Sequence, residues 1–245
     1  MLQIKQAIPL LWRKMISKVK TVIEYTTSEF FITHMKTYIA IEKMSSQLFY
    51  WTLMEKIIKT PACISKWQNA LELEDINWKH TFLNPFKICK ESMLQSFQFK
   101  LLHRIIPCNH WLYIMKIKDS PDCTFCNTDD NLIHYFAECE RVQPFWKSFE
   151  KWWINISSDL GKLDIKTVLL GAPTRSNKAD LFNYCLILAK MYVHKSKIKS
   201  EIGDIDFYRF LSYLKSKLVV EELNAALKDN CHEFEMKFGL VYNNL

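Results

Sequence analysis

Residues 123–139 read CTFCNTDDNLIHYFAEC, three cysteines and one histidine spaced C-x2-C-x7-H-x4-C. Thiolate and imidazole are donors that borderline-soft divalent metals take. Two cysteines separated by two residues make a tight knuckle whose backbone amides point at the sulfurs. A short helix can return His134 and Cys139 as the other two corners of a tetrahedron. Four such donors fill the shell of Zn²⁺, which asks for nothing beyond that tetrahedron. The expectation is one structural zinc on Cys123, Cys126, His134 and Cys139. The competing readings are an accidental grouping of core residues and a Cys123–Cys126 disulfide. A hydrolytic zinc keeps a position open for water, and a deaminase needs His-x-Glu with Pro-Cys-x-x-Cys. No histidine here has Glu two residues on, and the knuckle follows Pro-Asp. His232-Glu233 begins like a metalloprotease helix, but position 236 is Met. The site is expected to hold a shape rather than to do chemistry.

The surrounding elements must deliver these donors. His134 and Cys139 are five apart, about 140° of rotation on a regular helix, so the helix between them must end or distort. Upstream, Leu94, Phe97, Leu101, Leu102 and Ile105 share one face of a helix over residues 91–105, which Pro107 stops. Asn109 is expected to cap a second helix over 110–116, and Asp119-Ser-Pro-Asp turns into the knuckle. Downstream, Val142, Phe145, Trp146, Phe149 and Trp153 mark another helix. Adjacent Trp152 and Trp153 are expected not to face one core together. A short apolar piece at 167–170 ends at Gly171-Ala-Pro. Two amphipathic stripes follow: Leu181, Tyr184, Cys185, Leu188, Tyr192, then Phe207, Phe210, Leu211, Leu214, Leu218. Near the start, Ile39, Met44, Leu48 and Trp51 have helical spacing.

Only four glycines and seven prolines punctuate 245 residues, too few for the turns of a many-stranded sandwich. The fold class expected is mostly α, a helical domain with a small Cys3His knuckle inserted between helices. Three segments are expected: a helical connection over 1–60, a zinc-binding domain over 61–160 and a helical tail over 161–245. No apolar run approaches the ~20 residues that span a bilayer, and the stretch through Pro9, Arg13 and Lys14 lacks a signal-peptide pattern. A reducing compartment, nuclear or cytoplasmic and not secreted, is expected. The other cysteines (Cys63, Cys89, Cys108, Cys185, Cys231) then read as free thiols, mostly buried.

The net charge of +7 is compatible with a polyanionic partner. Residues 119–140 hold six acids and no Lys or Arg, and three thiolates on Zn²⁺ add about one more negative charge. A grip on phosphate must come from neighbours. Lys100, Arg104, Lys116 and Lys118 lie just upstream with no acid among them. The helix face opposite Leu94 carries Ser96, Phe99, Lys100 and His103, where an aromatic can stack a base while cations meet phosphates. The candidate contacts are Phe99, Lys100, His103, Arg104, Lys116 and Lys118. Lys190, Lys195, Lys197 and Lys199, with His194, form a second basic run. The plain alternative is that both are solvated faces and Phe99 packs on another helix.

The stretch FQFKLLHRIIPCNHWLYIMKIKDSPDCTFCNTDDNLIHYFAECERVQPFW, residues 97–146, closely resembles the zinc-binding domain near the C-terminus of non-LTR (LINE-type) retrotransposon reverse transcriptases. The shared pattern is an aromatic-Lys-Leu-Leu-His-Arg-Ile helix and Pro-x-Asn, then Lys-Ile-Lys, Ser-Pro-x-Cys-x-x-Cys, His-x4-Cys and Phe-Trp. FNYCLILAKMYVHKSK (182–197) looks like the helix that follows it, and KWQNALELEDINWKHTFLNPF (66–86) like the segment before it. The resemblance implies Cys123, Cys126, His134 and Cys139 as ligands. It implies element RNA or target DNA as partner, the polymerase part of the parent polyprotein as a second partner, and neither membrane nor small-molecule substrate. The Asp-Asp pair here, Asp129-Asp130, lies inside the knuckle and follows Asn127-Thr128 rather than a polymerase aromatic. No catalytic residue is assigned: the chain reads as a non-enzymatic C-terminal fragment, with Met1 either a true start or an internal methionine. The alternatives are a protein-interaction scaffold built on Phe145, Trp146, Phe149, Trp152 and Trp153, and an inert remnant of a decayed element.

Overall fold

Helix caps and β-branched runs divide the chain much as local chemistry dictates. The computed structural model describes residues 31–34, 37–40, 45–55, 57–157, 163–173, 176–199 and 205–245. The chain separates into two units, Met1–Thr60 and Pro61–Leu245. In the first, β1 (Phe31–His34) pairs antiparallel with β2 (Thr37–Ala40), Phe31 opposite Ala40 and His34 opposite Thr37. Ile39, expected in helical spacing, therefore sits in a strand. Its Thr-Tyr-Ile-Ala run is β-branched and aromatic, which suits a pleated surface. Leu48 and Trp51 do lie on a helix, α1 (Ser46–Glu55). Met44 and the N-terminal stretch through Lys14 fall outside the described residues.

The second unit is helical: α2 (Ala62–Leu71), α3 (Trp78–Ile88), α4 (Ser92–Leu102), α5 (Asn109–Ile114), a π-turn (His134–Glu138), α6 (Gln143–Ile156), α7 (Ile165–Leu170), α8 (Asn177–Ile198), α9 (Phe207–Ala226) and α10 (Cys231–Tyr242). The Cys3His cluster lies between α5 and α6. Side-chain oxygens start four of these helices by accepting an otherwise orphaned backbone N–H. Asn77 takes His80 N at 3.0 Å, Asp164 takes Thr167 N at 2.7 Å, Ser176 takes Ala179 N at 3.1 Å and Asp206 takes Tyr208 N at 2.8 Å.

α4 ends before Pro107 can stop it. Arg104 adopts the left-handed conformation (φ 59°). Ile105 N reaches back to Lys100 O at 2.9 Å, and Arg104 N to Leu101 O at 2.9 Å. That pair of bonds is a Schellman cap. It swings Ile105 out of the stripe, leaving it 59% exposed, while Leu94, Phe97, Leu101 and Leu102 stay buried. α5 ends in the same way, with Lys116 left-handed (φ 58°), Ile117 N on Leu112 O and Lys116 N on Tyr113 O.

α8 is the axis of the unit. Every residue from 181 to 191 is buried, so the single stripe expected there is too narrow. α3, α4, α9, α10 and the π-turn pack on it from several sides. The tryptophan pair also departs from expectation. Trp153 packs on Phe182 at 5.0 Å between ring centres and Trp152 on Phe207 at 6.1 Å, because α8 and α9 enclose α6 from two directions. Gly171 follows α7 at φ 91°, where a Cβ would sit 2.8 Å from the Asn183 amide oxygen. That amide is needed there, accepting from Ala172 N at 2.8 Å and donating to Ala172 O at 3.2 Å.

Lys190, expected on a basic face, is fully buried in α8. Its Nζ donates to Leu169 O at 3.2 Å, a carbonyl that Gln98 Nε2 shares at 3.2 Å. Desolvation pulls its pKa down from 10.5 to about 7. The unfolded chain therefore holds one more proton than the folded one between about pH 7 and 10.5, and this residue makes stability rise with pH across that window. Burial pushes the Cys89 thiol up to about 12, an effect of opposite sign above pH 9 that parent and variant share. Between pH 7.5 and 9 the unfolding free energy of Lys190→Met, measured by chemical denaturation, should lack about 1 kcal/mol per pH unit of the rise seen in the parent. Parallel pH profiles would show that the amine carries its charge inside the fold.

Candidate metal centre

The knuckle is closed by its own backbone. Asp130 N donates to Pro121 O at 3.0 Å, Cys123 N to Thr128 O at 2.8 Å and Asn127 N to Cys123 O at 3.0 Å. Asn127 takes the left-handed turn position (φ 53°), which asparagine tolerates better than most residues. The chain thus reverses within a few residues and aims two sulfurs at one point. Asn131 then starts the returning helix, its Oδ1 accepting from Ile133 N at 2.9 Å and His134 N at 3.1 Å. The distortion expected before Cys139 is a π-turn. Cys139 N donates to His134 O at 3.0 Å, a five-residue step in place of four, and single π-turns of this kind occur frequently at functional sites.

The outcome is one donor cluster. One ligand atom from each of Cys123, Cys126, His134 and Cys139 lies within 4.8 Å of all the others, and the group can hold a metal ion. Cys126 Sγ is 3.6 Å and Cys123 Sγ 3.9 Å from Cys139 Sγ. A tetrahedron of sulfurs bonded at about 2.3 Å to one ion has edges of about 3.8 Å, whereas a disulfide would bring two sulfurs to about 2 Å. All eight cysteines are free thiols, so the alternative Cys123–Cys126 disulfide is not formed. Cys123, His134 and Cys139 are buried and Cys126 partly so. Burial, and next the Lys197 charge, lower the His134 pKa, which keeps its imidazole neutral and its lone pair available.

Neighbouring groups fasten the cluster to the helices. Trp146 Nε1, on α6, donates to Phe136 O in the π-turn at 2.6 Å. The Arg141 guanidinium packs on the Phe125 ring at 4.3 Å. Asn109 does not cap α5. It is the first residue of the helix, and its side chain is drawn away by Asp122 O (2.8 Å) and Lys118 Nζ (2.7 Å). The Asp130 carboxylate serves the helix start instead, accepting from Asn109 N at 3.2 Å, where a negative charge suits the helix dipole. Asp129 faces His110, 2.7 Å from its Nδ1.

Among the expected nucleic-acid contacts, Phe99 and Lys100 are exposed on α4, and Lys116 and Lys118 are exposed beyond α5. The Phe99 ring lies 4.1 Å from the His103 ring, which in turn meets Phe82 at 5.1 Å, and Phe82 meets Trp78 at 6.1 Å. Arg104 is committed elsewhere. Its guanidinium packs on Trp67 at 4.5 Å and donates to Lys66 O at 3.3 Å, clamping α2 to α4. In the second basic run, Lys197 turns toward the knuckle, its Nζ 4.3 Å from the Tyr135 ring centre. His194 is pushed down to about 4 by burial and by the charge of Lys100, so the two basic runs, far apart in sequence, meet around it. Lys197 gives no signal of this placement in the sequence beyond its charge.

No protein-family model matches the chain. The chain is 30% identical over 107 residues to the Transposon TX1 uncharacterized 149 kDa protein of Xenopus laevis. The matched stretch is 40% of this chain and 8% of that protein. Among the described residues, no helix is long and apolar enough to cross a membrane.

The cluster predicts about one tightly held metal ion per chain, counted by elemental analysis of protein purified without chelator. Cys126→Ser should lose it or hold it far more weakly, since structural sites of this kind contribute roughly 10–16 kcal/mol of apparent binding energy. Backbone amide exchange should then rise sharply over residues 119–141 and little over α8. A metal-free chain with full protection in the knuckle would refute the assignment.

Proposed function

We propose that the chain is a non-catalytic, zinc-stabilised nucleic-acid-binding module, a C-terminal piece of a LINE-type retrotransposon reverse transcriptase polyprotein. The observation that carries this reading is the convergence of Cys123, Cys126, His134 and Cys139 within 4.8 Å. Three thiolates and an imidazole suit zinc, and four protein donors close its shell against water, which is the mark of a structural site. The partial likeness to a transposon protein supports the origin. The zinc would fix the turn between α5 and α6, and with it the cationic segment carrying Lys116 and Lys118. Phe99 supplies an exposed ring beside Lys100 for base stacking, with His103 against its face. Element RNA and target DNA are the partners that fit such a surface.

A second reading, docking on the polymerase part of the parent, has its own observation. Tyr113, Ile114, Met115 and Ile117 are all about half exposed or more, an apolar group of the kind that marks contact surfaces. The aromatic helix α6 is unsuited to that role, since Phe145, Trp146, Phe149 and Trp153 are buried.

Binding of single-stranded RNA, followed by fluorescence anisotropy over a range of salt, separates the two. Affinity should fall steeply as salt rises, and Lys100→Ala with Lys118→Ala should reduce the slope of log K against log salt by about 1 to 2. A flat salt dependence, or no binding at any salt, rejects the nucleic-acid reading and leaves the docking one.

A further inference from the structure

A 120 Å³ pocket opens beside the donor cluster, its lining including Asn109, Lys118, Phe125, Asp130, Tyr135 and Lys197. Its polar groups are unsatisfied in a complementary way. Asp130 is only 3% exposed, and while its Oδ2 accepts from Asn109 N, its Oδ1 has no partner. Lys197 Nζ is likewise buried without a hydrogen-bond partner. Buried polar atoms left unpaired are costly, more so when charged, so a ligand or ordered water that meets both is favoured. Lys118 Nζ adds a second cation, held by Asn109 Oδ1 at 2.7 Å. Two aromatic residues complete the lining. Phe125 is 45% exposed, with the Arg141 guanidinium on its ring, and Tyr135 lies under Lys197.

A phosphate would satisfy the ammonium groups but bring its charge against the Asp130 carboxylate. A free cation would do the reverse. The pocket asks for a planar group that presents N–H donors on one part of its edge and acceptors on another. We propose that it takes an unpaired nucleobase, guanine ahead of the others. Guanine N1–H and the N2 amine would donate to Asp130 Oδ1, its O6 and N7 would accept from Lys197 and Lys118, and its ring would lie against Phe125. Lysine to guanine O6 and N7 is a common specific contact, and stacking on an aromatic side chain is the usual support for an extruded base. This rests on the nucleic-acid reading above and adds base preference to it.

The test uses the full chain, with metal content checked for each variant, and labelled oligouridine 10-mers whose central base is G, A, C or U. The guanine-bearing strand should bind about tenfold tighter than the others. Asp130→Asn keeps an oxygen for Asn109 N but replaces the carboxylate, and Lys197→Met removes the buried cation. Both should erase the preference while leaving salt-dependent binding of all four strands in place. Equal affinity for the four strands in the parent, or a guanine preference that survives in both variants at full metal content, overturns the pocket assignment alone. Absence of binding to every strand overturns the nucleic-acid reading and this inference with it.

Discussion

The donor cluster of the second unit depends on a five-residue step closing on one point. His134 and Cys139 must place an imidazole and a thiolate on the same donor cluster, and a regular helix would leave them about 140° apart. The π-turn removes that mismatch through the Cys139 N to His134 O bond. Nothing in HYFAE demands a π-turn by propensity, and such turns are rare in helices at large. What sustains it is the surrounding fastening. Trp146 holds the Phe136 carbonyl from one side and Asn131 caps the start from the other. The turn also sets how α6 begins, since Val142 N and Gln143 N both bond Cys139 O. The donor geometry and the direction of the next helix are thus one choice.

Charge is segregated around that choice. The knuckle holds the acids, and three of them have local roles. Asp130 serves the start of α5, Asp129 faces His110, and Asp122 Oδ2 accepts from Ser120 Oγ. The cations arrive from helix ends and from α8. Arg104 and Lys116 both occupy left-handed positions where glycine is the usual residue. A side chain there costs of order 1 kcal/mol in backbone strain. Arg104 offsets it through its contact with Trp67, which explains why an arginine sits there. Among the described residues nothing offsets it for Lys116, whose side chain is exposed.

How much of this is legible in the sequence varies with the kind of signal. Cysteine spacing points to the donor set, because ligand chemistry allows few alternatives. Helical periodicity locates α4, α6 and α9. It misjudges α8, where the pattern shows a stripe of five apolar positions and the structure a helix buried on all sides; Lys190 and Asn183 disguise it as amphipathic. It also misses α10, although Phe234, Phe238 and Val241 have i, i+4, i+7 spacing, because apolar Met236 and Leu240 lie off that stripe, exposed, and blur it. The Asn109 cap fails for a different reason. A capping residue competes for its own side chain, and here Asp122 O and Lys118 take it.

The core of α8 bears on what a metal ion would do for the fold. Leu94, Leu101, Leu188, Phe210 and Leu218 are fully or nearly fully buried, and they belong to α4, α8 and α9. This part of the unit buries large apolar area whether or not the sulfurs are bridged, and apolar burial contributes roughly 25 cal/mol per Å². It can also carry the cost of a desolvated Lys190. The knuckle has a smaller reserve: its buried residues are Cys123, His134 and Cys139 with Asp130, Leu132, Tyr135 and Phe136. The physical division is between a helical core held by apolar contact and a turn whose four donors a metal ion would hold, joined through Trp146 and the π-turn. A metal at this place therefore governs where the cationic segment beyond α5 points, and leaves the helices behind it to hold themselves.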